Sequence, residues 1–326
     1  MGIHIVTGVA GFIGSHLAEA LINQGEEVIG IDQFNNYYDP QLKQNNIVNL
    51  KQNSSFTLIQ ADIQDLDWQQ LLQSVDVVYH QAAQAGVRAS WGQGFQDYTS
   101  RNINATQVIL EAAKRVKSLK RIIYASSSSI YGDAVTMPTP ETLCPLPVSP
   151  YGITKLAGER LCRLYQQNFG VPTTALRYFT VYGPRQRPDM AFHKFFKAAI
   201  NQESIPIFGD GQQTRDYTYV SDIVAANLAA ARNPKAVGEV FNIGGGSRIT
   251  LIELLKMIET VIDQPIKRNY LSQAVGDARH TSADITKAQQ ILGYNPQVSL
   301  QAGLTMEWEW IQPLYQKIVS GSKVRG

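Results

Sequence analysis

The sequence predicts an α/β fold: a doubly wound parallel sheet carrying a smaller C-terminal lobe. Three observations predict it. Short apolar runs alternate with helical stretches through the first half of the chain, and a glycine-rich turn joins the first run to the first helix. After Tyr178 the alternation loosens and Pro184, Pro188 and Pro206 interrupt it. Repeated βα units place ligand sites at the carboxyl ends of parallel strands.

Composition limits the function classes. The 326 residues suffice for two domains, or one large domain with an appended lobe. A 44% hydrophobic and 17% charged composition is that of a soluble globular protein. The net charge of +2, with both signs interspersed, gives no electrostatic footprint for nucleic acid or an anionic membrane. Cys144 and Cys162 show no metal-type spacing and suit a reducing compartment, so no metal is expected. The first residues run straight into a strand without a signal-peptide pattern, and Val6 stands where myristoylation wants Ser or Thr. A cytoplasmic protein is expected, with no membrane span.

Taking the elements in order, residues 3–7 read as a buried strand and 15–23 as a helix, joined by Gly8, Gly11 and Gly14. Phe12 and Ile13 lie inside that GxxGxxG turn, whose tight geometry and helix N-terminus suit a dinucleotide pyrophosphate. The second strand, 27–31, ends at Asp32. An acid about 20 residues beyond the turn accepts ribose hydroxyls and repels a 2′-phosphate, favouring NAD over NADP. A third strand at 56–60 leads to Asp62 and Ile63, placed for adenine. A fourth at 75–80 leads to Ala82 and Ala83, small enough for close approach to a cofactor. Residues 102–116 read as helix, and a fifth strand at 121–125 runs into Ser126, Ser127, Ser128 and Ser129.

Ser149 can cap a helix that Pro150 opens, which puts Tyr151 and Lys155 on one helical face. A phenol with a pKa of about 10 needs roughly 4 kcal/mol of phenolate stabilisation to act as a base at neutral pH. A neighbouring ammonium supplies part of it, and a cationic nicotinamide more.

In the second half, residues 221–231 read as helix and 239–243 as a strand rejoining the sheet. Residues 250–262 read as an amphipathic helix with Leu251, Leu254, Leu255 and Ile258 facing the core. Gly244, Gly245 and Gly246 read as a turn, and the polar tail at 317–326 as frayed. The expected division is 1–177 plus about 218–243 for the cofactor domain, and about 178–217 plus 244–326 for the lobe.

The series TGVAGFIG, Asp32, HQAA, SSSSIYG, YGITK, LRYFTVYGPRQRPDM, IFGDGQQTRDYTYVSD and FNIGGG resembles the extended short-chain dehydrogenase/reductase superfamily, in its nucleotide-sugar epimerase and dehydratase branch. The resemblance spans nearly the whole chain and implies a Rossmann domain with bound NAD. It makes Tyr151 the acid/base and Lys155 the nicotinamide-ribose ligand that lowers the tyrosine pKa. Ser127 then polarises the sugar C4 oxygen. Asn35 and Asn104 join the cofactor contacts. Phe208 would pack on uracil, Arg215 and Arg279 would clamp the diphosphate, and Arg88 and Arg185 would face the sugar, its carboxylate or phosphate.

Within that branch the chain is most similar to bacterial UDP-glucuronate 4-epimerases, through GVRASWG at 86–92, SSSSIYG and TVYGPRQRPDMAF at 180–192. Sister groups differ at informative places. Dehydratases carry Asp-Glu where Ser128 and Ser129 stand, decarboxylases carry Glu at the Ser129 position, and UDP-galactose 4-epimerases carry Asn at the Thr180 position. The implied reaction takes a UDP-sugar through a 4-keto intermediate that turns over and receives its hydride back. A C5 carboxylate makes that intermediate a β-keto acid, which neutral hydroxyls at Ser127, Ser128, Ser129 and Thr180 can hold against decarboxylation. The alternatives are a UDP-glucose or UDP-N-acetylglucosamine 4-epimerase, a UDP-glucuronate decarboxylase, and a non-catalytic NAD- or nucleotide-sugar-binding regulator. Family members commonly pair through the YxxxK helix, so a homodimer is expected, with Leu156, Leu161, Leu164 and Tyr165 as a candidate apolar strip that could equally be internal core.

Overall fold

The structure is a computed structural model that describes residues 2–272 and 278–322, with side chains as far as Tyr315 at the C-terminal end. Its centre is a seven-stranded parallel sheet. Six strands come from the first 178 residues: β1 (Ile3–Thr7), β2 (Glu27–Ile31), β3 (Phe56–Ile59), β4 (Val77–His80), β5 (Arg121–Ser127) and β6 (Thr173–Tyr178). After three two- to four-residue pieces and a fourth short one, β7 (Val181–Tyr182), β8 (Ile205–Phe208), β9 (Thr214–Asp216) and β10 (Thr218–Tyr219), strand β11 (Val240–Ile243) completes the sheet. The order is β11-β6-β5-β4-β1-β2-β3. Chain direction across the sheet reverses between β1 and β4, and the cleft above that switch point is where such sheets take ligands. Central strands are covered on both faces, which is why β4, β5 and β6 are buried along their whole length.

Helices α1 (Phe12–Asn23), α2 (Pro40–Asn46) and the single turns α3 (Trp68–Leu71) and α4 (Phe95–Tyr98) precede α5 (Ala105–Ala113). The 20-residue α6 (Pro150–Phe169) follows β5, capped by the Ser149 side chain on the Gly152 N–H and ended by Gly170 in the left-handed region. Further along come α7 (Ala191–Ile200), α8 (Val220–Arg232), which packs against α1, β5 and β6, α9 (Leu251–Ile262), α10 (Thr286–Leu292) and α11 (Leu300–Ser322), with β12 (Arg248–Thr250) and β13 (Arg268–Leu271). Here β7 pairs with β10, β9 with β12 and β8 with β13. One apolar cluster runs without a break from Val6, Leu17 and Leu21 to Phe196, Leu254 and Ile258.

Several expectations need correction. The first helix begins at Phe12, not Ser15, because Gly11 already serves as its N-cap. The helix expected at 102–116 is composite: α4 runs into a π-helical stretch, Thr99–Asn104, before α5. Thr250 stands outside its helix as the N-cap, in a capping box with Glu253. Leu254, Leu255 and Ile258 are fully buried as expected, whereas Leu251 is only partly buried at the packed margin. The tail expected to fray from 317 is helical to Ser322, and its last four residues lie outside the described ones. Of the apolar strip on α6, Tyr165 is internal, bonding Glu111 through its hydroxyl, whereas Leu164 is half exposed.

Candidate active site

The cofactor side is built by strand ends. Gly8 adopts a positive φ, and a Cβ there would strike the Ala82 backbone at 2.8 Å. A Cβ on Gly14 would stand 2.2 Å from the Gly8 carbonyl, so only glycine lets α1 start so close to the turn. Gly11 caps α1 with no side-chain acceptor, and the first turn has no acid, so the helix N-terminus presents N–H donors of the kind an anion takes. At the end of β2 the Asp32 carboxylate accepts N–H bonds from Ala10 at 3.1 Å and Phe34 at 2.8 Å. Burial raises its pKa against these bonds. Beneath the cleft, Thr7 links to His80 at 2.8 Å and His80 to Thr106 at 3.1 Å. Burial lowers His80 to about 3, so it is a neutral structural link.

One cleft is lined by Gly8, Gly11, Phe12, Ile13, Gly14, Asp32, Asn35, Asp62, Ile63, Ala82, Ala83, Tyr151 and Lys155. The glycine cradle, the carboxylate at the end of β2 and the lysine facing them make a donor set that fits NAD. Asn104 is the exception: it is exposed and absent from this lining. The irregular turn at 99–104 aims Arg101 into the cleft, where it bonds Gln84 at 2.6 Å. Asn102 turns inward to brace the Gln84 backbone and Thr154. Sequence reasoning also passed over Lys43, which lines the cleft and donates to the Asn35 carbonyl and side chain at 2.8 and 2.7 Å.

Tyr151 and Lys155 enter the cleft one turn apart on α6. The Tyr151 phenol lies near the Ser127 side chain at the end of β5, which acts to lower its pKa. Its ring meets the edge of Tyr98, 6.2 Å away, whose hydroxyl donates to the Ala85 and Gly86 carbonyls. The Lys155 ammonium sits 4.8 Å over the Tyr124 ring. Within the protein, burial raises Tyr151 above the usual tyrosine value, opposed by Ser127 and by the charge of Arg187. Burial also lowers Lys155 to about 8, opposed by Cys162 and Glu159. Burial is the largest cause at both groups, and Ser127 and Arg187 are counterweights at Tyr151.

A buried pair holds this arrangement. Glu159, one turn beyond Lys155, takes Arg177 of β6 in two bonds of 2.6 and 3.0 Å and Ser126 of β5 at 2.6 Å. Arg177 also donates to the Tyr131 hydroxyl, which donates to Asn242 of β11. Gly158 gives Tyr124 room to pass under α6, since a Cβ would stand 2.2 Å from its hydroxyl.

On the sugar side, Ser127 pairs with Tyr178 in the sheet register. Ser128 and Ser129 lie in the turn that follows β5, and Thr180 lies two residues past β6. The Ser127 hydroxyl accepts the Ser129 N–H at 3.1 Å. Arg185 does not join them. It takes a left-handed backbone conformation and pairs with Glu19 of α1 at 2.7 Å, outside the cleft lining. Two residues on, Arg187 lines the cleft and grips Asp189 with Nε and Nη2 at 2.9 and 3.0 Å. Burial alone would lower the Arg187 pKa, but Asp189 outweighs it and holds it raised.

A second cluster lies on the lobe. The Arg88 guanidinium stacks 4.1 Å from the Phe208 ring. Arg215 donates to the Arg279 carbonyl at 3.0 Å, and Arg279 pairs with Asp210 at 2.7 Å. Thus Arg88, Phe208, Arg215 and Arg279, far apart in sequence, gather around β8 and β9.

Fold and site together define an NAD-binding protein of the extended short-chain dehydrogenase/reductase class with an intact Tyr-Lys pair. The chain belongs to the NAD dependent epimerase/dehydratase family, whose profile matches residues 4–244. It is 45% identical over 96% of its length to an uncharacterized UDP-glucose epimerase of Bacillus subtilis, 98% of which is covered. It is 38% identical over 95% of its length to a UDP-glucuronate 4-epimerase of Thermodesulfobacterium geofontis, 96% of which is covered. The crystal structure of UDP-glucuronic acid 4-epimerase from Bacillus cereus, in complex with UDP-glucuronic acid and NAD, superposes with a TM-score of 0.93. That match has 47% identity and covers 97% of this chain and all of the other.

Proposed function

We propose that this chain, an NAD-dependent UDP-sugar 4-epimerase and hence an isomerase, interconverts UDP-glucuronate and UDP-galacturonate. The observation that carries the choice of a uronate is Arg187, a cation that lines the cleft near Tyr151, with neutral hydroxyls rather than acids at Ser127, Ser128, Ser129 and Thr180, on and just beyond the ends of β5 and β6. A C5 carboxylate would find donors there, and Asp189 is already committed to Arg187. Hydrogen bonds to a charged acceptor contribute about 1.5–3 kcal/mol each, enough for several together to decide the fate of an intermediate.

NAD, bound in the glycine cradle, supplies the hydride acceptor and donor at C4. The chain's own groups move the proton and hold the sugar. Tyr151 takes the 4-OH proton and, once the sugar has turned its other face, returns one to the C4 oxygen, with Ser127 bonded to the same oxygen. Lys155 provides the positive charge behind the phenol and a donor toward ribose. The hydroxyl set and Arg187 keep the carboxylate out of alignment with the carbonyl π system, so that C5 retains it. Phe208, Arg215 and Arg279 anchor the uridine diphosphate, so the sugar can turn while its handle stays bound. The half-exposed Leu164, together with Ile103, Ala157 and Leu161 on the same outer face, supports pairing with a second copy.

Following UDP-glucuronate by NMR tests the reading. The expected product is UDP-galacturonate. Pentose with CO₂, or turnover of UDP-glucose or UDP-N-acetylglucosamine but not of UDP-glucuronate, would overturn it.

A further inference from the structure

Asp189 and Tyr37 have no role in the chemistry described so far, yet Asp189 grips Arg187 and Tyr37 reaches Asp189. Asp189 binds one edge of the guanidinium through Nε and Nη2 and leaves the other edge out of that pair, on a residue that lines the cleft. The Tyr37 hydroxyl reaches the same carboxylate at 3.4 Å from the loop that follows β2. The Tyr37 hydroxyl lies against Gly86, where a Cβ would come within 2.5 Å of it. Tyr37 and Arg187 both line the cleft. A loop from the cofactor side thus braces a cation on the sugar side, across 152 residues of sequence.

We propose that Asp189, braced by Tyr37, is a positioning residue that fixes the Arg187 guanidinium and so decides whether the keto intermediate keeps its carboxylate. The inference rests on the uronate reading above. An arginine without a partner samples many rotamers and can follow a carboxylate through any rotation about C5. An arginine held along one edge cannot. The Asp189 charge also repels the substrate carboxylate from that side, confining it to the outer edge of the guanidinium. Once the carboxylate is free to swing perpendicular to the C4 ketone, the C5–C6 bond breaks. Its electron pair enters the enolate of the ketone, CO₂ leaves, and C5 takes a proton from water to give a 4-ketopentose.

The test is the partition of turnovers between UDP-galacturonate and pentose products with CO₂, measured by NMR on wild type, Asp189→Asn, Tyr37→Phe and the double variant Asp189→Asn/Arg187→Met. Asp189→Asn is expected to raise the pentose share about fivefold or more. Tyr37→Phe should shift it the same way by less, and the double variant should add little to Asp189→Asn, since the two residues act as one unit. An unchanged partition in Asp189→Asn, whether or not its overall turnover falls, overturns the inference and leaves Asp189 a merely structural residue. If Asp189→Asn does not fold, Tyr37→Phe decides alone, and a wild-type partition there overturns the inference. Wild type that makes no UDP-galacturonate defeats the underlying reading instead, a result visible before any variant is compared.

Discussion

Lys155 carries a charge that the fold would rather not bury. It is 3% exposed and its pKa falls to about 8 from an ordinary value of 10.5. Between those values the unfolded chain binds more protons than the folded one, so this group's contribution to stability rises with pH across that window. Below it the full cost is present, on the order of 3 kcal/mol. Lys155→Met is therefore expected to melt at a higher temperature than wild type at pH 7, with the advantage shrinking toward pH 10, while losing activity. A lower melting temperature at pH 7 would contradict this. Because the same lysine must stay charged to act, kcat/KM should fall as pH rises through about 8. Tyr151→Phe should lose about 10²–10⁴-fold in kcat, the scale of a positioned acid/base, with UDP-sugar binding retained by calorimetry. At this scale the sequence was partly legible. Tyr151, Lys155 and Asp32 lie on regular elements or their ends, where spacing fixes direction. Arg185 and Arg187 lie on a loop that turns through a left-handed residue, and no periodicity reveals which of the two faces the cleft.

Helix α6 is the element on which the chemistry depends, and local rules specify it: a serine cap, a proline at the first position, a left-handed glycine at the end. Its attachment is not local. Glu159 and Arg177, 3% and 4% exposed at their side chains, join α6 to β6, and Ser126 brings in β5. Replacing either charged partner by alanine leaves the other buried and unpaired, which costs about 3–5 kcal/mol, whereas replacing both by apolar residues costs far less. Urea denaturation of Glu159→Ala, Arg177→Ala and the apolar double variant checks the ordering, and equal losses for all three would contradict it. Elements whose rules conflict were read less well. The π-helical stretch at Thr99–Asn104 shifts the face that α5 would otherwise present, which is why Asn104 points to solvent. Pro313 lies inside α11, where a proline ordinarily ends a helix, and no long C-terminal helix was expected.

Across the whole molecule, the parallel sheet and its switch point were legible because each βα unit declares itself within about 30 residues. The lobe was not, because its pairings are distant: β8 meets β13 with Ile205 opposite Arg268, and β9 meets β12. The apolar cluster that joins lobe to sheet has a global consequence, since a ligand held at their junction stabilises both. NAD at a hundred times its Kd should add about 2.7 kcal/mol to unfolding. NADP should add much less, because an acid at the end of β2 repels a 2′-phosphate. Equal thermal shifts would contradict the assigned role of Asp32.

The central claim is that hydride leaves C4 and returns to C4 of the same sugar while the carboxylate stays on C5. UDP-glucuronate deuterated at C4, run to equilibrium in ordinary water, tests it most directly. UDP-galacturonate with deuterium fully retained at C4 is the expected result; loss of the label to solvent, or its retention in a pentose, would contradict the claim.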